Sequence, residues 1–294
     1  MGARDGVVDV GEPEAQARVE RGHDDEHVDR RAARAGALTG RSPTSNRRRG
    51  ATGRSGLRAP HDRATIRLVS RQAGIRGDSY GGRPPTSHER RAGEPWDASY
   101  RHGPAPWDTG QPQPAVRRLA DEGAFAGAVL DAGCGTGENA LHLAARGVRV
   151  LGVDVAETAV SIAREKAAAR GIDAEFAVAD ALHLGRLDRL FDTVLDCGLL
   201  HTFDGDERRT YVASLASVTG RGGHVHLLCF SDAGPDTGPH PVSQEEVRAA
   251  FSGSGGWSIA SLRPDRIETT FGAQGVPAWL AAIERTSAPA TRGP

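Results

Sequence analysis

The sequence contains a single lysine, one methionine and three cysteines among its 294 residues, and only 5% of the residues are aromatic. It has no run of about 18 apolar residues, the length that a membrane-spanning helix needs. Its first residues are too polar to form the apolar core of a secretory signal. We therefore expect no membrane partner and no export, and we predict a cytoplasmic protein.

The three cysteines, Cys134, Cys197 and Cys229, lie far apart and form no C-x-x-C pair. Nothing around them supplies the three or four ligands of a typical metal site. We predict reduced, mostly buried thiols and no bound metal.

Apolar side chains are scarce at the beginning of the chain. Residues 1–86 contain eleven Val, Leu, Ile or Phe residues, and 17 arginines against 11 acidic residues. Such a segment buries too little apolar area to offset the entropy cost of ordering it. We predict a disordered tail over 1–86, or a start assigned too far upstream, then a domain over 87–287 and a flexible end at 288–294.

The three arginines at 47–49 could serve as a basic arm for nucleic acid. However, 36 arginines beside one lysine suggest the codon usage of a GC-rich genome, and residues 87–294 are acidic overall. An acidic domain repels a polyanion, so we expect no nucleic-acid partner.

From residue 128 onward, short apolar runs alternate with helical patterns, which is typical of a parallel sheet covered on both faces. Helices are predicted at 138–146, 158–170 and 244–251, from glycine stop signals and a Ser-x-x-Glu capping box. The last two strands follow each other without a helix. We predict an α/β Rossmann-like fold with helices on both faces of a seven-stranded, mostly parallel sheet that has an antiparallel C-terminal edge strand. The predicted strands are 128–130, 149–153, 175–178, 191–195, 224–230, 257–262 and 279–284.

A glycine-rich turn, DAGCGTG at 131–137, follows the first strand and precedes a helix. Ligands bind at this place in α/β sheets, and glycines let the backbone approach them closely. A dinucleotide-binding turn of the form G-x-G-x-x-G would need its third glycine at 138, where this chain has Glu138. A carboxylate there is poorly placed for a pyrophosphate, so we predict a cationic or zwitterionic ligand.

The sequence VLDAGCGTG at 129–137 resembles the first motif of the class I S-adenosylmethionine-dependent methyltransferases. The resemblance implies their Rossmann-like methyltransferase fold and S-adenosylmethionine as cofactor. Acids also follow the second and third strands, where the family binds the ribose and the adenine. The resemblance implies a cofactor site formed by Asp131, Gly133, Cys134, Gly135, Gly137, Asp154, Val155, Asp180, Ala181 and Cys197.

The segment before the sheet, Tyr100 and residues 105–114, is similar to that of the thiopurine methyltransferase-like and tellurite-resistance-like branches. In those branches a tryptophan packs over the cofactor, which implies that role for Trp107, since a ring face attracts a sulfonium cation. For Trp96 we expect a place in the core. The chain lacks the Pro-Pro-aromatic tetrapeptide of enzymes that methylate nucleobases or glutamine. A small-molecule methyl acceptor is therefore expected, with Tyr100 near it.

His201 follows the fourth strand and is our candidate for a general base, since its imidazole can take a proton near neutral pH. A purely structural role for His201 stays open. Phe203 and His240 are predicted to contact the acceptor.

We predict a monomeric methyltransferase that transfers a methyl group by in-line displacement to a small sulfur or oxygen nucleophile. Three alternatives stay open: methylation of an endogenous quinone or polyketide-type metabolite, a nicotinamide-dependent oxidoreductase, and a cofactor-binding module without catalysis.

Overall fold

The computed structural model describes residues 80–234, 240–252 and 255–286. Most of the predicted tail and the whole predicted C-terminal segment, 288–294, lie outside these residues. The last residues before position 87 contact the first helix. Thr86 caps α1 (Ser87–Ala92) in a reciprocal capping box with Glu89, and Arg83 forms an ion pair with the same glutamate.

The described residues form a seven-stranded sheet in the order β3-β2-β1-β4-β5-β7-β6. Strands β1 to β5 pair in parallel, whereas β7 pairs antiparallel with both β5 and β6. The predicted fold class is confirmed. The C-terminal strand β7 is antiparallel as predicted, but the prediction that it forms the edge is wrong, because β7 lies between β5 and β6 and β6 forms the edge. The strands are β1 (Ala128–Ala132), β2 (Arg149–Asp154), β3 (Glu175–Val178), β4 (Phe191–Cys197), β5 (Thr219–Phe230), β6 (Trp257–Thr269) and β7 (Gly272–Arg285).

Two apolar clusters form the core, one on each side of the sheet. Neighbouring residues of one strand belong to different clusters: Val129 to one and Leu130 to the other, each fully buried. A strand covered on both faces needs apolar residues in sequence rather than in alternation, which is why the predicted strands are near-continuous apolar runs.

Sequence signals locate three of the six described α-helices, α3 (Glu138–Ala144), α4 (Glu157–Arg170) and α6 (Gln244–Ala250). α3 ends two residues before its predicted limit, and α4 ends at Gly171, whose φ of 63° suits glycine. The sequence analysis did not predict α1, α2 (Pro114–Asp121) or α5 (Gly205–Val218), although Asp204 and Glu207 form a capping box at the start of α5 like that of Ser243 and Glu246. The remaining helices are three short 3-10 helices, Trp96–Tyr100, Ala181–Leu187 and Leu200–Thr202.

Strands β6 and β7 are both longer than predicted, and their additional residues form a hairpin that projects beyond β5. The backbone N–H of Thr270, at the hairpin tip, donates to the carbonyl of Pro106 at 2.9 Å, and its hydroxyl donates to the same oxygen at 2.8 Å. The hairpin is thereby attached to the segment that precedes α2.

None of the described helices is long and apolar enough to cross a membrane. Within the described ranges, the three cysteines are free thiols, two of them buried, and no group of acidic, histidine or cysteine side chains could hold a metal ion.

Gly137 provides a test of the turn. It has a φ of 84°, and a Cβ there would lie 2.9 Å from Phe176 and Ala163; Gly147 has the same φ but nothing within 4 Å. Both alanine variants incur the cost of a left-handed backbone, of about 1 kcal/mol. Gly137→Ala adds overpacking, typically about 1–3 kcal/mol. Urea unfolding is expected to show that Gly137→Ala lowers the free energy of unfolding more than Gly147→Ala, and equal losses would contradict this packing account.

Candidate functional site

A cavity of about 550 Å³ lies at the carboxyl ends of the parallel strands. Its floor is the turn after β1, and its other walls come from the segment before the sheet, the loop after β4 and the β6–β7 hairpin. Most of the predicted site residues line this cavity. They are Tyr100, Trp107, Gly133, Cys134, Gly135, Gly137, Asp154, Val155, Asp180, Ala181, Cys197, His201 and Phe203.

Backbone hydrogen bonds hold the glycine turn against β2. The N–H groups of Gly133 and Cys134 both donate to the carbonyl of Val153, at 2.8 and 2.9 Å. The Gly135 N–H donates to Asp154 Oδ2 at 2.9 Å. Gly135 has a φ of 53°, and a Cβ there would lie 3.3 Å from the Tyr100 hydroxyl. The turn therefore excludes side chains and presents backbone to the cavity.

Asp154 and Asp180 end their strands and accept hydrogen bonds from the chain that follows. Asp154 Oδ1 accepts from the Ala156 N–H at 2.8 Å, and Asp180 Oδ1 accepts from the Leu182 N–H at 2.9 Å. Burial raises the pKa of Asp154, although hydrogen bonds from the backbone N–H groups of Ala156, Gly135 and Val155 lower it. A carboxylate oxygen has a second lone pair, so both residues can cap the chain and still accept from a ligand in the cavity.

Asp131 lies beneath the turn and is 1% exposed. Burial, together with the nearby Asp154, raises the pKa of its carboxyl to about 7. Its Oδ2 atom has no hydrogen-bond partner among the described residues. A buried acceptor without a donor is costly. Asp131 is not among the described residues that line the cavity, unlike the other predicted cofactor residues. The turn and the strand-end acids, with this unsatisfied oxygen beneath the turn, fit a zwitterionic nucleoside such as S-adenosylmethionine.

The environment of Glu138 contradicts the argument that its carboxylate disfavours a pyrophosphate ligand. Its carboxylate forms ion pairs with Lys166 at 2.9 Å and Arg170 at 2.8 Å. Although burial alone would raise the pKa of Glu138, hydrogen bonds from these two cations lower it overall. Because its charge is compensated locally, Glu138 presents no bare carboxylate to the cavity, and it gives no reason to exclude a pyrophosphate ligand.

Aromatic rings cover the cavity on the side of the segment before the sheet. The Trp107 Nε1–H donates to the Tyr100 hydroxyl at 3.0 Å. Trp96 meets Trp107 edge-on at 5.6 Å and stacks on His88 at 4.3 Å. Trp96, which we expected in the core, thus lines the cavity together with Trp107.

His201 is 5% exposed, and its environment is not that of a general base. Its Nδ1 accepts the backbone N–H of Phe230 at 3.1 Å, and its ring stacks on the Phe230 ring at 4.0 Å. Burial lowers the pKa of His201 to about 3, and the neighbouring Arg208 lowers it further. With Nδ1 occupied, the neutral ring carries its hydrogen on Nε2. These observations argue against the predicted role as a base.

His240 is not among the residues that line the cavity. Its Nε2 accepts from the Arg91 guanidinium at 3.1 Å, which places it behind α1. Arg91 itself lines the cavity. The prediction that His240 contacts the acceptor directly does not agree with this position.

Several residues that line the cavity were not predicted from the sequence, among them His88, Arg91 and Ile267. His88 and Arg91 precede the first strand by about forty residues and belong to no motif that we identified. The Thr86-x-x-Glu89 capping box was the available signal for a helix there. Ile267 lies on the part of β6 that extends beyond the predicted strand.

A family model described as "Methyltransferase domain" matches residues 129–223. A protein from Mycobacteroides abscessus named 2-heptyl-1-hydroxyquinolin-4(1H)-one methyltransferase is 39% identical over 166 residues, covering 55% of this chain and 72% of that protein. A probable thiol methyltransferase of Arabidopsis thaliana is 27% identical and covers 51% of this chain and 68% of that protein.

Among solved structures, one from a study of the conversion of a disulfide bond into a thioacetal group during echinomycin biosynthesis is 41% identical. The match covers 61% of this chain and 84% of the chain in that structure, with a TM-score of 0.56. These similarities agree with the glycine turn, the strand order and the cavity. The chain therefore belongs to the class I S-adenosylmethionine-dependent methyltransferases.

Proposed function

We propose that this enzyme methylates an oxygen or sulfur atom on a small aromatic molecule. The observation that carries this proposal is the division of the cavity into two unlike regions. One region combines the glycine turn with the strand-end acids. The other is lined by aromatic rings and by His201, from elements that do not belong to the turn.

We assign the first region to S-adenosylmethionine. The Asp154 carboxylate would accept hydrogen bonds from the ribose hydroxyls. Asp180 and the Ala181 backbone would contact the adenine, and Asp131 would lie beneath the ammonium group. The aromatic face of Trp107 would lie toward the sulfonium, where ring and cation attract each other.

We assign the second region to the acceptor. Phe203 and Phe230 are 3% and 6% exposed, which makes this wall apolar, whereas Trp96 and His88 provide stacked ring faces. Flat apolar walls suit a planar aromatic ligand. Its polar atom then has His201 as a nearby partner.

The named relatives support both acceptor atoms. The Mycobacteroides abscessus relative is named for a hydroxyquinolinone, and the Arabidopsis thaliana relative for a thiol. An aromatic ring that bears an acidic hydroxyl or thiol is consistent with the names of both relatives and with the shape of the aromatic region.

S-adenosylmethionine supplies an activated methyl group when it is bound, so the chain's own residues mainly align and dehydrate the acceptor. The buried rings of Phe203 and Phe230 exclude water from the nucleophile. The β6–β7 hairpin contributes Ile267, and its hydrogen bonds to Pro106 hold it against the opposite wall.

An acceptor panel tests the proposal. The full-length protein is incubated with S-adenosylmethionine and with 1-hydroxyquinolin-4(1H)-one, 7-hydroxycoumarin, thiophenol, 2-mercaptoethanol or cyclohexanol, and methylated products are measured by mass spectrometry. We expect kcat/KM for the aromatic acceptors to exceed that for the aliphatic ones at least tenfold. Comparable or higher rates with the aliphatic compounds would contradict an aromatic acceptor region.

The cofactor assignment makes a separate prediction. Asp154→Asn replaces the carboxylate by an amide, and hydrogen bonds to charged groups are worth about 1.5–3 kcal/mol. We expect S-adenosylhomocysteine to bind at least tenfold more weakly, as measured by isothermal titration calorimetry. Asp192→Asn is the matched control, because Asp192 also accepts a backbone N–H, from Ala128 at 2.7 Å, but outside this cavity. Equal losses in the two variants would contradict the assignment.

A further inference from the structure

Basic side chains gather around the acceptor region. His88 and Arg91 come from α1, His201 from the loop after β4, Arg208 from α5 and His240 from the loop before α6. Their mutual electrostatic effects lower the pKa values of the three histidines, after the larger effect of burial in each case. We call these five residues the basic cluster.

Carboxylates line the cavity only at its other region. Of the described lining residues, the acids are Asp108, Glu138, Asp154 and Asp180. Asp154 and Asp180 end β2 and β3. Asp108 accepts from the Thr136 hydroxyl at 2.7 Å, and Glu138 opens the helix that follows the turn. One cation, Arg83, also lines the cavity and acts on Asp180, and its guanidinium is paired with Glu89. The acids that line the cavity therefore lie at the cofactor region, together with this paired arginine.

Acids do pack behind the basic cluster. Glu246 pairs with Arg208 at 3.1 Å, Glu89 lies beside His88, and Asp204 and Glu207 act on His240. Asp196, before His201, accepts the backbone N–H groups of Leu199 and Leu200 and is fully buried. None of these five carboxylates is among the described residues that line the cavity, and of the basic cluster only His88, Arg91 and His201 line it. Arg208 and His240 lie behind them.

His201 determines which hydrogen-bonding group faces the acceptor. Because its Nδ1 accepts from the Phe230 N–H, its remaining polar group is the Nε2–H, which is a donor. A donor with Arg208 and Arg91 nearby stabilises an anion more than a neutral hydroxyl or thiol.

Building on the proposed function, we propose that the basic cluster binds the acceptor as its oxyanion or thiolate, with the His201 Nε2–H donating to the negative atom. In the transfer, the acceptor's lone pair forms the new bond to the methyl carbon while the carbon–sulfonium bond breaks and leaves its electron pair on sulfur. The acceptor has already lost its proton to solvent, so no base is needed. His201 is thus a residue that selects the ionised acceptor.

The ionisation of a bound acceptor can be measured directly. The absorption of 7-hydroxycoumarin changes when its hydroxyl ionises, so its pKa can be titrated free and bound to the full-length protein saturated with S-adenosylhomocysteine. This cofactor product carries no sulfonium charge, so a shift cannot come from attraction to a sulfonium. We expect the pKa of the bound acceptor to lie at least one unit lower, a tenfold preference for the anion.

Variants assign the effect to His201. His201→Gln keeps an acceptor for the Phe230 N–H and a donor for the ligand, and should keep most of the shift. His201→Leu lacks the donor and should lose about one unit of it. The exposed His224 lies on β5 away from the cavity, and His224→Gln serves as the control. Binding of S-adenosylhomocysteine verifies that each variant is folded. Full retention of the shift in His201→Leu would overturn the proposal, as would a bound pKa at or above that of the free acceptor.

Turnover separates this proposal from the proposed function. With acceptors of different acidity, the acidic limb of kcat/KM should follow the pKa of each acceptor. If kcat/KM instead falls at the same acidic pH for every acceptor, the proposal is overturned. Such a result would indicate the titration of an enzyme group, for example Asp131 or Asp196, since burial raises the pKa of each to about 7. Ionised binding without methyl transfer would overturn the proposed function alone, and methyl transfer without preferential binding of the anion would overturn this inference alone.

Discussion

The hydrogen bond from the Gly135 N–H to Asp154 Oδ2 joins the turn after β1 to the end of β2, and the site depends on it. It fixes one oxygen of Asp154 while leaving lone pairs directed to a ligand. The turn also leaves little space for side chains at Gly135 and Gly137, which both have positive φ. A Cβ at Gly137 would lie 2.9 Å from Phe176 and Ala163, and one at Gly135 would lie 3.3 Å from the Tyr100 hydroxyl. Parallel pairing of β1, β2 and β3 then places Asp131, Asp154 and Asp180 at one edge of the sheet.

Charge is unevenly distributed along the cavity. Asp154 and Asp180 line the region that we assign to the cofactor, and His88, Arg91 and His201 line the region where we place the acceptor. Burial strengthens both effects, because a low local dielectric increases the influence of each donor and acceptor. His201 shows the consequence most clearly: a histidine that would titrate near neutral pH in water is held neutral as a donor.

The sequence was sufficient to predict the parts of the structure that local patterns encode. The apolar runs of the strands, the glycine turn and the acids after β2 and β3 were predicted at the positions where the structure has them. Strand ends and helix starts carry local signals, which made this possible. The protonation of His201 could not be predicted, since it depends on the Phe230 N–H, 29 positions away along the chain. The length of β6 and β7 was underestimated because Pro264 and polar residues interrupt their apolar pattern. The helix that carries His88 was not predicted, although the Thr86-x-x-Glu89 capping box marks its start.

The central claim is that one cavity holds the cofactor over the glycine turn and an ionised aromatic acceptor against His201. A crystal structure of the protein with S-adenosylhomocysteine and 7-hydroxycoumarin tests it most directly. The account predicts the ribose at Asp154 and the coumarin oxygen within hydrogen-bond distance of His201 Nε2, about 2.7–3.2 Å, facing the cofactor sulfur. An acceptor oxygen bound away from His201, or a cofactor that does not contact Asp154, would contradict it.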